Sequence, residues 1–191
     1  KPCVKIKPSQ SINFASAGVK GISIWRHLLE GKDLNKIKLL LDSNRMDVVS
    51  LVRGGFFPSV DPKKRLSAIE DNQLAIEQAS ALGAPLVVLV CGAEPKQSLE
   101  SSRQQIKEGI TALIPLAEKR EVKLAIEPLH PMYGAEKSAI LTLGQANEMC
   151  ELIDSPWVGI AIDVYHLWWD DQLKNEIIRC GKNKNILAFH I

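Results

Sequence analysis

The chain has 191 residues, 46% of them apolar and 24% charged, which indicates one globular domain spanning residues 1–191. A net charge of +2 gives no indication of a nucleic-acid partner. The longest apolar stretch, around APLVVLVCGA, is about half as long as a membrane span, so we predict no membrane partner. Four cysteines without a CxxC pair favour a reducing, cytoplasmic location.

Strand-like and helical patterns alternate along most of the chain. Six runs rich in Val, Ile and Leu are predicted as strands: residues 21–25, 47–52, 85–90, 122–127, 158–163 and 186–191. Amphipathic helical patterns separate them, and the last one is predicted to bury Leu173, Ile177 and Ile178 and to end at Gly181. This βα rhythm, with a repeat of about 27 to 38 residues, predicts a parallel sheet with both faces covered.

Two architectures fit this pattern, a doubly wound open sheet and a (β/α)8 TIM barrel. The first would need a glycine-rich phosphate turn after its first strand, and the sequence contains neither GxGxxG nor a P-loop. A barrel instead delivers its functional side chains from the carboxyl ends of several strands. The sequence therefore favours the TIM barrel.

Three potential metal ligands lie at the ends of three successive predicted strands. Glu127 and Asp163 end the runs KLAIE and GIAID, and His190 stands one residue before the end of ILAFHI. One acidic residue at a strand end is more often a helix cap or an ion-pair partner. Three such residues at the ends of successive parallel strands would meet at one rim, where a divalent cation removes the cost of burying carboxylates. We predict that Glu127, Asp163 and His190 bind a metal.

Further polar and aromatic residues belong to the same predicted rim. His166 and His130 each stand three residues after a predicted carboxylate ligand and are candidates for proton transfer. Arg53, in the turn RGG, could hold an oxyanion or hydroxyl groups, while the glycines let the backbone approach a ligand. Trp25 and Trp168 offer flat faces for a sugar.

The segments AIEPLHPM, AIDVYHLWWD, SLVRGGFFP and FHI resemble the sugar phosphate isomerase/epimerase family, the xylose isomerase-like TIM barrels of the AP endonuclease 2 superfamily. The resemblance covers nearly the whole chain. It implies one divalent metal, Mn²⁺ or Zn²⁺ before Mg²⁺ or Co²⁺, held by Glu127, Asp163, His190 and a glutamate of the eighth strand. It also implies that His166 contacts a substrate oxygen, and that Glu127 acts as a base beside a carbonyl through a metal-stabilised enediolate.

The six predicted strands correspond to the second through seventh of that family. The resemblance therefore implies a first strand before the chain, for which CVKI is a weak substitute, and an eighth strand after Ile191. We expect an incomplete barrel that is inactive alone, being either a piece of a longer product or a chain completed by a homo-oligomer or by another chain.

The resemblance leaves the reaction and the substrate open. A lyase of the C-glycoside deglycosidase or inosose dehydratase type could use the same site, with His130 taking a proton, and a truncated barrel could bind sugar without turnover. A sugar, a sugar phosphate, a cyclitol or a glycoside would fit. Apurinic-site nucleases of this fold need extra histidines on earlier strands, and Ser23, Leu51 and Leu89 stand there instead.

Overall fold

The computed structural model describes residues 11–134 and 136–191, which form a six-stranded parallel sheet with strand order β1-β2-β3-β4-β5-β6. The strands are β1 (Gly21–Trp25), β2 (Asp47–Gly55), β3 (Leu86–Val90), β4 (Lys123–Ile126), β5 (Val158–Asp163) and β6 (Ile186–His190). All six predicted strands are confirmed, and β2 continues further, through Arg53, Gly54 and Gly55. The segment CVKI lies outside the described residues.

Helices connect the strands and cover the outside of the sheet. Within the described residues they are α1 (Ser11–Ser16), α2 (Leu34–Ser43), α3 (Pro62–Leu82), α4 (Leu99–Arg120), α5 (Leu143–Ile153), α6 (Val164–Leu167) and α7 (Leu173–Lys182), with short 3-10 helices at Arg26–Leu29 and Pro131–Tyr133. Side-chain oxygens of Asp33, Asp61, Ser98 and Thr142 cap α2 to α5 by accepting backbone N–H groups. The local sequence thus fixes where each of these helices begins.

One detail of the predicted last helix is wrong. Ile178 is 48% exposed, because the buried stripe of α7 follows Leu173, Ile177 and Cys180, which recur at helical spacing, and Ile178 lies about 100° away from Ile177. Gly181 lies inside α7, which ends one residue later at Lys182. One buried stripe of a helix therefore cannot bury both Ile177 and Ile178 to the same extent.

The strands present one face to the helices and the other to the interior of a curled half-barrel. On the outer face, α4 contributes the fully buried Ile106, Ile110 and Leu113 to the main core. On the inner face, Val52, Leu86, Val88, Ala125 and Ala161 form a smaller apolar cluster. Successive strand residues point to opposite faces, so the inner positions beyond Ala125 and Ala161 are Glu127 and Asp163.

This architecture is an α/β fold, an incomplete TIM barrel, as predicted. Among the described strands, β1 pairs only with β2 and β6 only with β5, so the curled sheet has two edges. All five pairings are parallel, which brings the carboxyl ends of the six strands to one rim. No helix in the part of the chain that the structure describes is long and apolar enough to cross a membrane.

The glycines of the RGG segment, which lie in β2, pack closely against the protein itself, and the predicted approach of the backbone to a ligand stays a prediction. A Cβ at Gly54 would lie 2.4 Å from the Asn72 side chain, and one at Gly55 would lie 1.9 Å from the Val90 carbonyl oxygen. Asn72, 1% exposed, accepts the Gly55 N–H at 2.7 Å and donates to the carbonyl oxygens of Gly55 and Ala68, each at 2.8 Å. This amide joins the end of β2 to α3.

Asn72→Ala is expected to lower the free energy of unfolding by about 2–3 kcal/mol, because it leaves buried backbone groups of Gly55 without their partner. Urea unfolding measures the change. Asn35→Ala is the control, since Asn35 is exposed on α2 and its side chain forms no hydrogen bond within the described residues. Equal effects of the two substitutions would contradict the role given to Asn72.

Candidate active site

Glu127, Asp163 and His190 converge at the carboxyl ends of β4, β5 and β6. His190 Nδ1 lies 3.1 Å from Glu127 Oε1 and 3.8 Å from Asp163 Oδ2, and one ligand atom from each residue lies within 4.8 Å of the others. Glu127 is buried and the other two are half-buried. Among the described residues, this is the one group of His, Cys, Asp and Glu side chains that could hold a metal ion.

The three donors fit a divalent cation. Two carboxylates and one imidazole are ligands that Zn²⁺ and Mn²⁺ accept. Asp163 Oδ1 accepts the backbone N–H of Tyr165 at 2.8 Å and thereby caps α6, while Oδ2 faces His190. The carboxylate is therefore held in position by the turn that follows β5.

The hydrogen bond between Glu127 and His190 raises the pKa of His190 above its usual 6.5. Burial of the imidazole opposes this shift, and the negative charges of Glu127 and Asp163 support it. The metal-free site therefore binds a proton at His190 more tightly than an unfolded chain does. A metal ion has to replace that proton.

His190→Gln in the metal-free protein is expected to cost most stability at about pH 6 and less at higher pH. Because the folded-state pKa is raised, the stabilisation is fully present below the unfolded value of about 6.5 and is lost as the pH rises through the folded value. Urea unfolding of both proteins with a chelator, across this pH range, measures the difference. A difference that grows with pH would contradict the assignment.

The three candidate ligands line a cavity of about 560 Å³ that opens on the rim. Six of its twelve lining residues were predicted from the sequence: Trp25, Arg53, Glu127, Asp163, His166 and His190. The other six are Val52, Val90, Leu129, Tyr133, Lys137 and Tyr165. This volume suits a small molecule. The strand ends thus supply the floor of the cavity, and the loops after β4 and β5 supply one wall.

His166 lies in this wall, in the first turn after β5. Its Nδ1 accepts the backbone N–H of His130 at 3.4 Å, so in the neutral ring the proton is carried by Nε2. The rings of Tyr133 and Tyr165 contact it edge-on, with centroid distances of 5.7 and 5.1 Å. These contacts orient the imidazole within the cavity lining.

His130 and Trp168 lie together beside the cavity and are not among its lining residues. Their rings stack with centroids 6.3 Å apart, and the ring of Trp169 meets His130 edge-on at 5.8 Å. His130 Nδ1 accepts the backbone N–H of Met132, and Trp168 is 72% exposed. The predicted roles of His130 in proton transfer and of Trp168 in substrate binding stay predictions.

Arg53 and Trp25 line the side of the cavity formed by β1 and β2. The guanidinium carbon of Arg53 lies 5.7 Å from the centroid of the Trp25 ring and 4.9 Å from that of Phe56. Such cation–π contacts hold the guanidinium between the two rings. Both residues were predicted from the sequence as substrate contacts, and both line the cavity together with residues of the loops after β4 and β5.

Six lining residues were not predicted from the sequence as site residues: the apolar Val52, Val90 and Leu129, and the polar Tyr133, Lys137 and Tyr165. Lys137 Nζ lies 4.5 Å from the centroid of the Tyr133 ring. Tyr133 and Lys137 occur in the segment PMYGAEK directly after AIEPLH, and Tyr165 lies between Asp163 and His166. The available signal was their position in loops that follow strands with a terminal carboxylate, because such loops form the rim of a barrel.

The fold and the site define a class: TIM-barrel proteins with a carboxylate–imidazole cluster at the carboxyl ends of their strands. The chain belongs to the xylose isomerase-like TIM barrel family, whose model matches residues 13–191.

Two curated relatives carry names from sugar chemistry. The chain is 26% identical over 139 residues to an inosose isomerase of Halalkalibacterium halodurans, and the match covers 72% of this chain and 48% of the relative. It is 24% identical over 184 residues to a probable ketose 3-epimerase of Synechocystis sp., and this match covers 91% of this chain and 61% of the relative. The chain thus spans about half to three fifths of the length of these relatives.

Solved structures show the same fold. Protein SMc04130 of Sinorhizobium meliloti 1021 superposes with a TM-score of 0.93 at 39% identity, covering 100% of this chain and 72% of that one. The IOLI protein, solved with a bound zinc atom, gives a TM-score of 0.78 at 22% identity, covering 99% of this chain and 68% of that one. The second likeness concerns the fold alone.

Proposed function

We propose that the protein is a divalent-metal-dependent isomerase or epimerase of a sugar or cyclitol. The observation that carries this proposal is the convergence of Glu127, Asp163 and His190 on the floor of a cavity of about 560 Å³. The names of the two curated relatives, an inosose isomerase and a probable ketose 3-epimerase, support the reaction class.

Glu127, Asp163 and His190 would hold the metal ion. When bound, the ion supplies positive charge that lowers the cost of negative charge developing beside a carbonyl group. We propose Mn²⁺ or Zn²⁺, with Mg²⁺ or Co²⁺ as alternatives, because the mixed donor set suits all four. The zinc atom bound in a structure of the same fold supports zinc as the first ion to test.

The chain's own residues would handle the protons. A carboxylate oxygen of Glu127 would take the proton from the carbon next to the carbonyl and return it to a carbon of the substrate to complete an isomerisation, while the Nε2–H of His166 donates to a substrate oxygen. The backbone N–H of His130 orients the His166 ring. We also propose that the His130 ring takes part in proton transfer. Trp25, Arg53 and Trp168 would bind the parts of the substrate that do not react.

Solvent deuterium exchange tests this proposal. D-Fructose and an inosose are incubated in D₂O with the metal-loaded protein, and NMR follows the hydrogen next to the carbonyl. We expect exchange even if complete turnover needs the eighth strand, because removing and returning one proton requires only Glu127. The exchange should stop with EDTA and fall at least about 100-fold in Glu127→Gln, which removes both a general base and a metal ligand. Glu118→Gln, an exposed carboxylate on α4, is the control.

The other outcomes separate the alternatives. Cleavage of a 3-oxo-glycoside or loss of water from an inosose, without epimerisation, would replace the isomerase with a lyase of the same fold. Sugar binding by a folded, metal-loaded protein without exchange or cleavage would favour a non-catalytic barrel. Exchange that Glu127→Gln leaves unchanged would overturn the role of Glu127.

We also propose that residues 1–191 belong to one domain and that the protein works in the cytoplasm. The thiols of Cys91, Cys150 and Cys180 are free and buried, which suits a reducing compartment. A homo-oligomer or a completing chain stays our proposal for a protein partner. The small-molecule partner is the sugar or cyclitol itself.

A further inference from the structure

The cavity contains two cations that take no part in the proposed proton transfer. Arg53 lines it from the end of β2, and Lys137 lines it from the loop after β4. Both side chains are half-buried. Glu127 and Asp163 are the only carboxylates in the lining, and a bound divalent ion balances their two negative charges. With the eighth-strand glutamate that the family resemblance implies as a further ligand, Arg53 and Lys137 still leave the cavity with an excess of about one positive charge.

Neither cation has a carboxylate partner. Arg53 and Lys137 form no ion pair with any of the residues that the structure describes. The undescribed residues cannot supply one, because residues 1–10 and Ala135 include no Asp or Glu. By contrast, Arg26, on the first turn after β1, forms a bidentate pair with Asp71 at 2.7 and 2.8 Å. Residues 1–191 thus neutralise a neighbouring arginine and offer these two cations no carboxylate partner.

Aromatic rings hold both cations in place without using up their N–H donors. Arg53 lies against Trp25 and Phe56, and Lys137 lies over Tyr133. The backbone of Lys137 is also fixed, since its N–H donates to the Tyr133 carbonyl at 2.9 Å and its own carbonyl accepts the Gly92 N–H at 3.0 Å. A pre-positioned cation loses less entropy when it binds an anion.

We propose that the substrate carries an anionic group, a phosphate or a carboxylate, which Arg53 and Lys137 recognise. This inference rests on the proposed function, because it takes the cavity as the substrate site. An uncharged sugar would leave two half-buried cations without a counter-charge, whereas an anion would accept charge-assisted hydrogen bonds from both. The two cations would then select an acidic substrate over the corresponding neutral sugar.

Calorimetric titration with three matched ketoses tests the inference. D-Fructose, D-fructose 6-phosphate and 5-keto-D-gluconate are titrated into the metal-loaded protein and into the chelated protein. We expect at least one anionic ketose to bind about tenfold or more tightly than D-fructose, as charge-assisted hydrogen bonds predict. The anionic ketose with the larger gain in affinity over D-fructose identifies the recognised group as a phosphate or a carboxylate. This preference should weaken as salt is added.

Lys137→Gln and Arg53→Gln should each reduce the preference about tenfold, while Lys137→Arg should retain it. Lys96→Gln is the matched control, because Lys96 is exposed and does not line the cavity. Circular dichroism establishes that each variant is folded. Equal affinity of the wild-type protein for all three ketoses, or a preference that survives both glutamine substitutions, would overturn the inference.

Failure of this inference differs from failure of the proposed function. Metal content and deuterium exchange are measured on the same preparations. A protein that binds metal and exchanges deuterium, but shows no anion preference, refutes the anionic substrate alone. A protein that prefers the anionic ketose in chelator, but takes up no metal, refutes the proposed reaction while retaining the role of Arg53 and Lys137.

Discussion

Asp163→Asn is expected to lower the metal affinity of the protein by at least about 100-fold, and His190→Gln is expected to do the same. Each change removes one of three converging donors while nearly keeping the size of the side chain. Loss of a residue that merely orients a ligand costs about 10- to 100-fold in metal affinity, so loss of a ligand should cost no less. Elemental analysis should give about one ion per wild-type chain and nearly none in either variant.

The control for this experiment is Asp154→Asn. Asp154 is exposed, ends α5 in the left-handed conformation that asparagine tolerates, and precedes β5, at the opposite end from Asp163. Its loss should leave the metal content unchanged. A folded wild-type protein that takes up neither Zn²⁺ nor Mn²⁺, or an Asp163→Asn variant that keeps a full ion, would contradict the proposed metal site.

Gly55→Ala is expected to destabilise the protein by about 2–6 kcal/mol. The new Cβ would lie 1.9 Å from the carbonyl oxygen of Val90, a backbone atom that cannot move away without breaking the pairing of β2 with β3. The φ of +108° at Gly55 adds strain for any residue with a side chain. Overpacking and backbone strain each cost about 1–3 kcal/mol, so together they give this range.

Gly31→Ala separates these two contributions. Gly31 also has a positive φ, +67°, but a Cβ there meets nothing within 4 Å. This change should cost about 1 kcal/mol, the backbone strain alone. Urea unfolding compares the two variants. A Gly55→Ala variant as stable as Gly31→Ala would mean that β2 and β3 can separate at little cost, and that Arg53, two residues earlier, is not rigidly held.

The predicted strands and candidate ligands depended on signals that are local in sequence. Glu127 and Asp163 each stand at the end of a short apolar run whose length favours a buried strand, and the structure shows that both line the cavity. Parallel strands bring their carboxyl ends to one rim, so the meeting of these two residues with His190 could be predicted without coordinates.

The two glycines of RGG show what such local reasoning leaves out. The sequence predicted that the backbone approaches a ligand at these positions. The structure identifies Val90 and Asn72, which are distant along the chain, as the atoms that approach. No sequence period encodes a contact of this kind, because it depends on how β3 and α3 pack against β2.

The amino-acid sequence by itself determined the α/β class, the parallel order of strands and the residues at their carboxyl ends, because hydrophobic periodicity and strand length are local properties. Only the tertiary structure decided which loop residues face the cavity. It brought Tyr133 and Lys137 into the lining and left the His130 ring stacked on Trp168 beside it. A loop side chain follows the packing of its neighbours, and that packing exists only once the strands are assembled.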